Sequence, residues 1–243
     1  RQSLKHTEKF ILVMQERFRR ISCRLYCDLV LIKNDNKART AFSQTIHPYQ
    51  LKAYMQIELR YFTGTGNSYR IIDTCRTVFD QSGHTVSVSE INTEEKEIAA
   101  CGLLGFCFPV YAFGIPRICR KYLAAVRSFK NRQKVFVLVT AGDSGESGFA
   151  TAECEKILKR KNCDVVYTGV IQMPINWTTS PEPPFPPAKD EALEIIRAGV
   201  GQAQVIAGEI LNGVSKRHQF SYPARYTKWR FYKDYWLFKY MGL

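Results

Sequence analysis

Residues 61–68 read YFTGTGNS and lie between an apolar run at 56–62 and a segment of helical character that begins at residue 68. Within 63–68, four residues carry side-chain hydrogen-bond donors: Thr63, Thr65, Asn67 and Ser68. Gly64 and Gly66 let the backbone approach a bound group closely, because glycine has no Cβ atom. A helix that begins after such a loop offers its first backbone N–H groups and the positive end of its dipole. The stretch therefore predicts a phosphate-binding loop.

The loop differs from two other phosphate motifs. It contains no Lys or Arg, whereas a P-loop requires a Lys followed by Ser or Thr, and it lacks the third glycine of GxGxxG. The phosphate would thus be held as a dianion by neutral donors. The alternative interpretation is a turn that only caps the helix, but capping needs fewer donors than this loop supplies.

Short apolar runs alternate with amphipathic segments after the loop, which predicts an α/β fold. The predicted strands are Gln56–Phe62, His84–Val88, Gly102–Phe108, Lys134–Thr140 and Val165–Gln172. The predicted helices are Ser68–Gln81, Pro116–Ser128, Gly148–Lys161 and Lys189–Lys216. The third and fourth strands are almost continuously apolar, as expected for strands that are buried on both faces. The first strand is less regular, since Glu58 and Arg60 interrupt its apolar residues, and this argues against a central position.

The order of two motifs resembles a known family. TGTGNS after a strand resembles the phosphate loop of flavodoxins, and GLLGFCFPVYAFGIPRICRKYL at 102–123 resembles the third strand and following loop of the flavodoxin domain in fused ferredoxin–flavodoxin proteins of anaerobic microbes. The similarity continues through VFVLVTAGDSGESG and MPINW and covers about residues 55–215. It implies a doubly wound, five-stranded parallel sheet of order 2-1-3-4-5 with helices on both faces, and FMN at the carboxyl ends of the strands.

The resemblance also implies which residues bind FMN. The phosphate would be bound by Thr63, Gly64, Thr65, Gly66, Asn67 and Ser68. The isoalloxazine ring would be bordered by Pro109, Val110, Tyr111, Ala112, Phe113 and Gly114, with Tyr111 as the stacking residue. A second ring-binding loop would comprise Thr140, Ala141, Gly142 and Asp143. An alternative is that Tyr111 and Phe113 only cover the core.

Charge and cysteine content restrict the other functions. The net charge of +13 comes from the flanks, because residues 55–215 hold 17 basic and 17 acidic side chains. Nucleic acid is therefore not the expected partner. No apolar stretch reaches the roughly 20 residues that span a bilayer. The eight cysteines form no disulfide framework and no metal-binding cluster, which favours a reducing cytoplasm, and no catalytic constellation is evident.

Three regions are expected. Residues 1–54 form a basic extension, for which we consider either a natural start at Met55 or a genuine helix around Phe10–Arg20. Residues 55–215 form the FMN-binding domain, in which the Pro-rich loop 173–187 is expected to be a functional loop or lid and Trp177 is a candidate to cover the ring. Residues 216–243 interleave aromatic and basic side chains. This tail could be a membrane-surface helix, a docking tail, or a segment that packs on the domain.

The predicted function is an FMN-dependent electron carrier for a redox partner, either a ferredoxin or a reductase. The alternatives are an NAD(P)H-dependent FMN reductase acting on a quinone or another small acceptor, and a flavin-free interaction module. One departure from the fused family is clear. The tail resembles the segment that precedes the ferredoxin module, yet the sequence stops at Leu243 without the cysteine clusters of such a module.

Overall fold

The computed structural model describes residues 54–91, 97–143, 147–176, 185–220 and 227–241. The chain divides into two units, Arg1–Ala53 and Tyr54–Leu243, and the account below concerns the second. The predicted helix around Phe10–Arg20 and the candidate ring cover Trp177 lie outside the described residues.

Strands and helices alternate along the second unit. The strands are β1 (Gln56–Tyr61), β2 (Thr85–Glu90), β3 (Leu103–Pro109), β4 (Gln133–Ala141) and β5 (Cys163–Gln172). The helices are α1 (Asn67–Gln81), α2 (Arg117–Ala125), α3 (Ala150–Lys159), α4 (Lys189–Leu211) and α5 (Lys228–Met241).

The five strands form one parallel sheet in the order β2-β1-β3-β4-β5. This confirms the fold class and the strand order that the sequence predicts. Gly105 of β3 lies opposite Leu59 of β1 and Phe136 of β4, and a Cβ atom at residue 105 would overlap both neighbouring side chains. A larger residue at position 105 would therefore force the centre of the sheet apart.

Two apolar layers bury the two faces of the sheet. One layer joins α1 and α4 to the sheet through residues such as Ile71, Ile206 and Leu59. The other joins α2 and α3 to the opposite face through residues such as Tyr122 and Cys154. Helices thus cover both faces, as a doubly wound sheet requires.

The two charged residues that interrupt the apolar pattern of β1 are paired with each other. β1 lies between the edge strand β2 and the central strand β3, so it is an interior strand although Glu58 and Arg60 interrupt its apolar residues. Both side chains are buried, and the Arg60 Nε donates to Glu58 Oε1 over 2.7 Å. An ion pair within one strand satisfies two charges that would otherwise be costly to bury.

The helix after β5 and the tail depart from the sequence prediction. α4 ends at Leu211 rather than Lys216, and Gly213 follows with a φ of 74°. Lys216 instead runs parallel to β5, where its carbonyl accepts the Thr168 N–H over 2.9 Å. Residues 228–241, for which the sequence left three interpretations open, form α5, and Phe231 of this helix is fully buried against the domain.

Three further features concern the described part of the chain only. No helix there is long and apolar enough to cross a membrane. Six cysteines are free thiols: Cys75, Cys101, Cys107, Cys119, Cys154 and Cys163. Cys23 and Cys27 lie outside the described residues. Over the described ranges, no group of His, Cys, Asp and Glu has the arrangement of a metal site.

Candidate functional site

The phosphate loop predicted at 63–68 connects β1 to α1 at the carboxyl edge of the sheet. Gly66 has a φ of 91°, a conformation that L side chains rarely adopt. Its N–H donates to Thr63 Oγ1 over 2.9 Å, and its carbonyl accepts the Arg70 N–H over 2.9 Å. No side chain caps α1, and the first amides of any helix have no partner one turn earlier. This end of α1 therefore has the character of an anion site.

Ser68 ties the phosphate loop to the neighbouring strand ends. Its side chain is fully buried, and its Oγ lies 2.9 Å from Thr140 Oγ1 at the end of β4. Both residues are predicted to bind FMN, in two different loops. The structure brings the two hydroxyls together, and this contact holds the phosphate loop next to the loop after β4.

A tight turn after β3 carries the predicted stacking residue. Tyr111 and Gly114 exchange two backbone hydrogen bonds of 2.9 and 3.0 Å around Ala112 and Phe113. Ala112 and Phe113 have φ values of 47° and 66°. Two successive non-glycine residues in the left-handed region are unusual, and such strain needs support from surrounding contacts.

Tyr111 extends from this turn over the phosphate loop. A Cβ atom at Gly64 would lie 2.7 Å from the Tyr111 hydroxyl, so only glycine fits there without moving the phenol. The Tyr111 side chain remains half-exposed, with 50% of its surface accessible. Burial, with a smaller contribution from the Cys119 thiol, raises the pKa of Tyr111. The phenol therefore stays protonated at neutral pH and can donate a hydrogen bond.

Phe113, also predicted to border the ring, lies elsewhere. Its ring centroid is 4.7 Å from that of Phe231 in α5. A Cβ atom at Gly148 would overlap the backbone and Cβ of Phe113, so this residue is enclosed between α5 and the start of α3. The structure brings Tyr111 to the phosphate loop and places the half-buried Phe113 against α5. The other predicted residues of this segment belong to the end of β3 and to the turn that carries Tyr111 and Phe113. They are Pro109, Val110, Ala112 and Gly114.

The loop after β4 lies next to the turn after β3 and the segment after β5. Thr140 accepts the Val110 N–H through its carbonyl over 2.8 Å, and Ala141 accepts the Met173 N–H over 2.8 Å. The Gly142 carbonyl accepts a hydrogen bond of 3.1 Å from the Gln172 side chain. Thr140–Asp143 thus lies between the turn after β3 and the segment after β5.

Sequence reasoning did not assign the segment after β5 to the site. Asn67 Nδ2 donates to the Pro174 carbonyl over 3.1 Å, and the Asn176 amide hydrogen-bonds with Thr65 Oγ1. A Cβ atom at Gly142 would overlap the Ile175 side chain. Residues 174–176 therefore cover the phosphate loop and the loop after β4. The sequence signals for this segment are its place in the Pro-rich loop expected to be functional and the resemblance that continues through MPINW.

Solved structures similar to this chain include flavodoxins and a quinone oxidoreductase. No protein-family model matches the sequence, and no curated protein matches it. A flavodoxin from the domain Archaea aligns at 12% identity and a TM-score of 0.36, over 63% of this chain and 99% of that chain. The fold is flavodoxin-like. This conclusion depends on the strand order β2-β1-β3-β4-β5.

Two other solved structures are similar at comparable levels. Oxidised flavodoxin 2 from Bacillus cereus is 18% identical, with a TM-score of 0.39 over 64% of this chain and 99% of that chain. An NAD(P)H:quinone oxidoreductase from Methanothermobacter marburgensis is 14% identical, with a TM-score of 0.43 over 65% of this chain and 100% of that chain. At such identities the likeness concerns the fold alone.

Proposed function

We propose that this chain binds FMN at the carboxyl edge of its sheet and carries electrons for a partner protein, a ferredoxin or a reductase. One observation carries the proposal. The loop that enters α1 lies at the point where the strand order reverses, between β1 and its neighbours β2 and β3, and Tyr111 lies directly over it. Open α/β sheets bind their ligands at this switch point.

The phosphate end of FMN fits the loop by chemistry and by space. A dianion is favoured by the dipole and free amides of α1, which is 15 residues long. The left-handed Gly66 turns the backbone into the helix, and nothing lies within 4 Å of the position its Cβ would take. A phosphate can therefore approach the backbone at this point.

The flavin ring fits between the loops after β3 and β4. Tyr111 supplies an exposed aromatic face, and Ile175 supplies an apolar side chain against Gly142. A flat aromatic cofactor gains free energy from such surfaces through stacking and the exclusion of water. When bound, FMN supplies the one- and two-electron chemistry, while the protein supplies orientation and environment.

The residues of the chain then have separate tasks. The amides of 64–68 other than that of Gly66, which donates to Thr63 Oγ1, hold the phosphate, and the Ser68–Thr140 contact keeps that loop beside the loop after β4. Tyr111 orients the ring, and its protonated phenol can donate a hydrogen bond. We also place the protein in a reducing compartment, the cytoplasm. The six free thiols in the described part of the chain support this placement.

The test compares two flavins that differ only in the phosphate. Purified protein is incubated with FMN or with riboflavin and passed through a gel-filtration column, and the visible flavin absorbance of the protein peak is measured. We expect FMN to be retained and riboflavin to be lost, because riboflavin has no phosphate for the α1 N-terminus. A protein that retains neither flavin would overturn the proposal.

The same sample separates a carrier from an enzyme. The FMN-loaded protein is mixed with NADH or NADPH and a quinone, and the oxidation of the nicotinamide is followed. An electron carrier shows negligible turnover and is reduced only through a partner protein. Rapid turnover would show instead that the protein is an FMN-dependent reductase.

A further inference from the structure

Helix α5 presents two faces with different roles. One face is buried: Phe231 is inaccessible, and its ring centroid lies 5.1 Å from that of Phe149. The Tyr235 ring lies 4.9 Å from Phe149 on the same side. These contacts fix α5 on the domain, so the orientation of its other face is also fixed.

The outward face carries a continuous row of aromatic side chains, which we call the aromatic stripe. Its members are Trp229, Tyr232, Trp236 and Tyr240. Their spacings of three, four and four residues place them on one side of the helix. They expose 74%, 41%, 47% and 67% of their surfaces, respectively. The rings of Trp236 and Tyr240 stack with centroids 4.8 Å apart.

Lysines border the aromatic stripe. The Lys233 ammonium lies 5.5 Å from the Trp229 ring centroid, and the Lys239 ammonium lies 5.4 Å from that of Trp236. Residues 228–241 contain four basic side chains and one acidic side chain, Asp234. The Asp234 carboxylate is 4.0 Å from the Arg230 guanidinium, so these two charges offset each other and the positive excess of the helix comes from Lys228, Lys233 and Lys239. The surface around the stripe is therefore positive.

An ion-pair cluster holds α5 in place behind this surface. Glu153 of α3 accepts hydrogen bonds of 2.5 and 3.2 Å from Arg120, and the Lys239 ammonium is 3.6 Å from the same carboxylate. Lys239 therefore connects the cluster to the stripe. A helix fixed in this way can present its aromatic rings without first paying the entropy of ordering.

We propose that the aromatic stripe binds the surface of an anionic lipid bilayer, with α5 lying in the plane of the interface. Trp and Tyr favour the headgroup region, because their rings are apolar while their N–H and O–H groups remain hydrated. Lys233 is exposed beside the Trp229 ring and can reach a lipid phosphate from there. The stripe runs along a single convex helix with positive borders. The positive borders and the interfacial preference of Trp and Tyr match the charge and chemistry of an anionic bilayer surface. The proposal does not depend on flavin binding.

The test uses the full chain and sedimented vesicles of phosphatidylcholine, with or without phosphatidylserine. We expect binding to the phosphatidylserine vesicles only, with a blue shift of tryptophan fluorescence and a loss of binding as salt is added. Trp229→Ala with Trp236→Ala, and separately Lys228→Glu with Lys233→Glu, should each weaken the partitioning by about tenfold or more. These side chains are exposed, so circular dichroism should show an unchanged fold.

Matched changes elsewhere control for charge and hydrophobicity. Lys134→Glu with Lys156→Glu reverses two exposed charges on other elements, and Phe185→Ala removes an exposed aromatic ring. Both controls should bind vesicles as the unaltered protein does. The proposal is overturned if the unaltered protein ignores anionic vesicles at low salt, or if the stripe variants bind them equally well. It is also overturned if sedimentation shows that the stripe is the interface of a dimer or of a complex with an acidic protein.

Discussion

At the scale of single residues, the proposed site depends on contacts between groups that are distant in sequence. Ser68 and Thr140 are 72 positions apart, yet their hydroxyls meet at 2.9 Å beneath the phosphate loop. The resemblance to flavodoxins implies both residues as FMN ligands, in two separate loops. It could not show that they bind each other, since that contact depends on how β1 and β4 are offset across β3.

This hydroxyl pair predicts a measurable coupling. Ser68→Ala leaves the Thr140 hydroxyl buried without this partner and should lower the free energy of unfolding by about 1–2 kcal/mol in urea denaturation. Ser68→Ala combined with Thr140→Val should cost less than the sum of the two single changes. Thr74→Ala, which removes an exposed hydroxyl bonded to the Arg70 carbonyl on the same helix, is the control and should change stability by no more than about 0.5 kcal/mol. Strict additivity of the first pair would contradict the assignment.

His218 predicts a pH dependence of stability. Burial lowers the pKa of this imidazole, whose Nε2 lies 3.1 Å from Ser147 Oγ, while the backbone N–H of His218 donates to Thr168 Oγ1 over 2.7 Å. A folded-state pKa below the unfolded value means that the unfolded chain binds more protons. The contribution of His218 is therefore complete above about pH 6.5 and is lost as the pH falls toward the folded pKa.

His218→Gln removes the titration while retaining a polar group near Ser147. The difference in unfolding free energy between the unaltered protein and this variant should shrink from pH 7 to pH 5. Measuring it by denaturation at several pH values cancels the carboxylates that titrate in both proteins. A difference that stays constant or grows as the pH falls would show that the folded-state pKa of His218 is not lowered.

At the scale of elements, periodicity predicted most strands and helices to within a few residues. β3 and β4 were clear because strands covered on both faces are apolar throughout. The predicted end of α4 at Lys216 is wrong. Lys216 continues a polar stretch of the sequence, but in the structure it runs along β5. The sequence does not decide the structure of residues 228–241, because aromatic side chains lie on both the buried and the exposed face of α5. This removes the amphipathic contrast that marks a surface helix.

Phe231 predicts how strongly α5 is attached. Phe231→Ala removes a fully buried ring that contacts Phe113, Phe149 and Phe220, and should lower the free energy of unfolding by about 3–5 kcal/mol. Trp229→Ala removes a larger but exposed ring from the same helix and should cost less than about 0.5 kcal/mol. Equal losses in thermal or chemical denaturation would contradict the packing of α5 described above. Because Phe113 belongs to the strained turn, Phe231→Ala should also weaken FMN retention.

At the scale of the whole molecule, the order of the strands was predictable but the closure of the site was not. The alternation of elements and the resemblance of the phosphate loop led to the order 2-1-3-4-5, which the sheet has. The contacts of Pro174, Ile175 and Asn176 with the phosphate loop and Gly142 were not foreseen. A loop backbone has no period in sequence, so its path depends on side chains that meet only after folding.

The division of the chain predicts the effect of a truncation. The boundary between the two units falls between Ala53 and Tyr54, and β1 begins at Gln56. A protein that begins at Met55 should therefore keep its cooperative unfolding and its FMN retention, as measured by thermal denaturation and gel filtration against the full chain. Loss of the fold on truncation would show that residues 1–54 are required by the flavodoxin-like unit.

The most direct test of the central claim is an FMN titration of two glycine variants. Gly66 and Gly83 lie at opposite ends of α1, have φ values of 91° and 86°, and have nothing within 4 Å of the position a Cβ would take. Alanine should strain both positions similarly, at a cost of about 1 kcal/mol each in stability. Only Gly66→Ala should raise the Kd for FMN, by about tenfold, because only this residue orients the amides of the phosphate loop. Equal affinities for FMN in Gly66→Ala and Gly83→Ala would contradict the account.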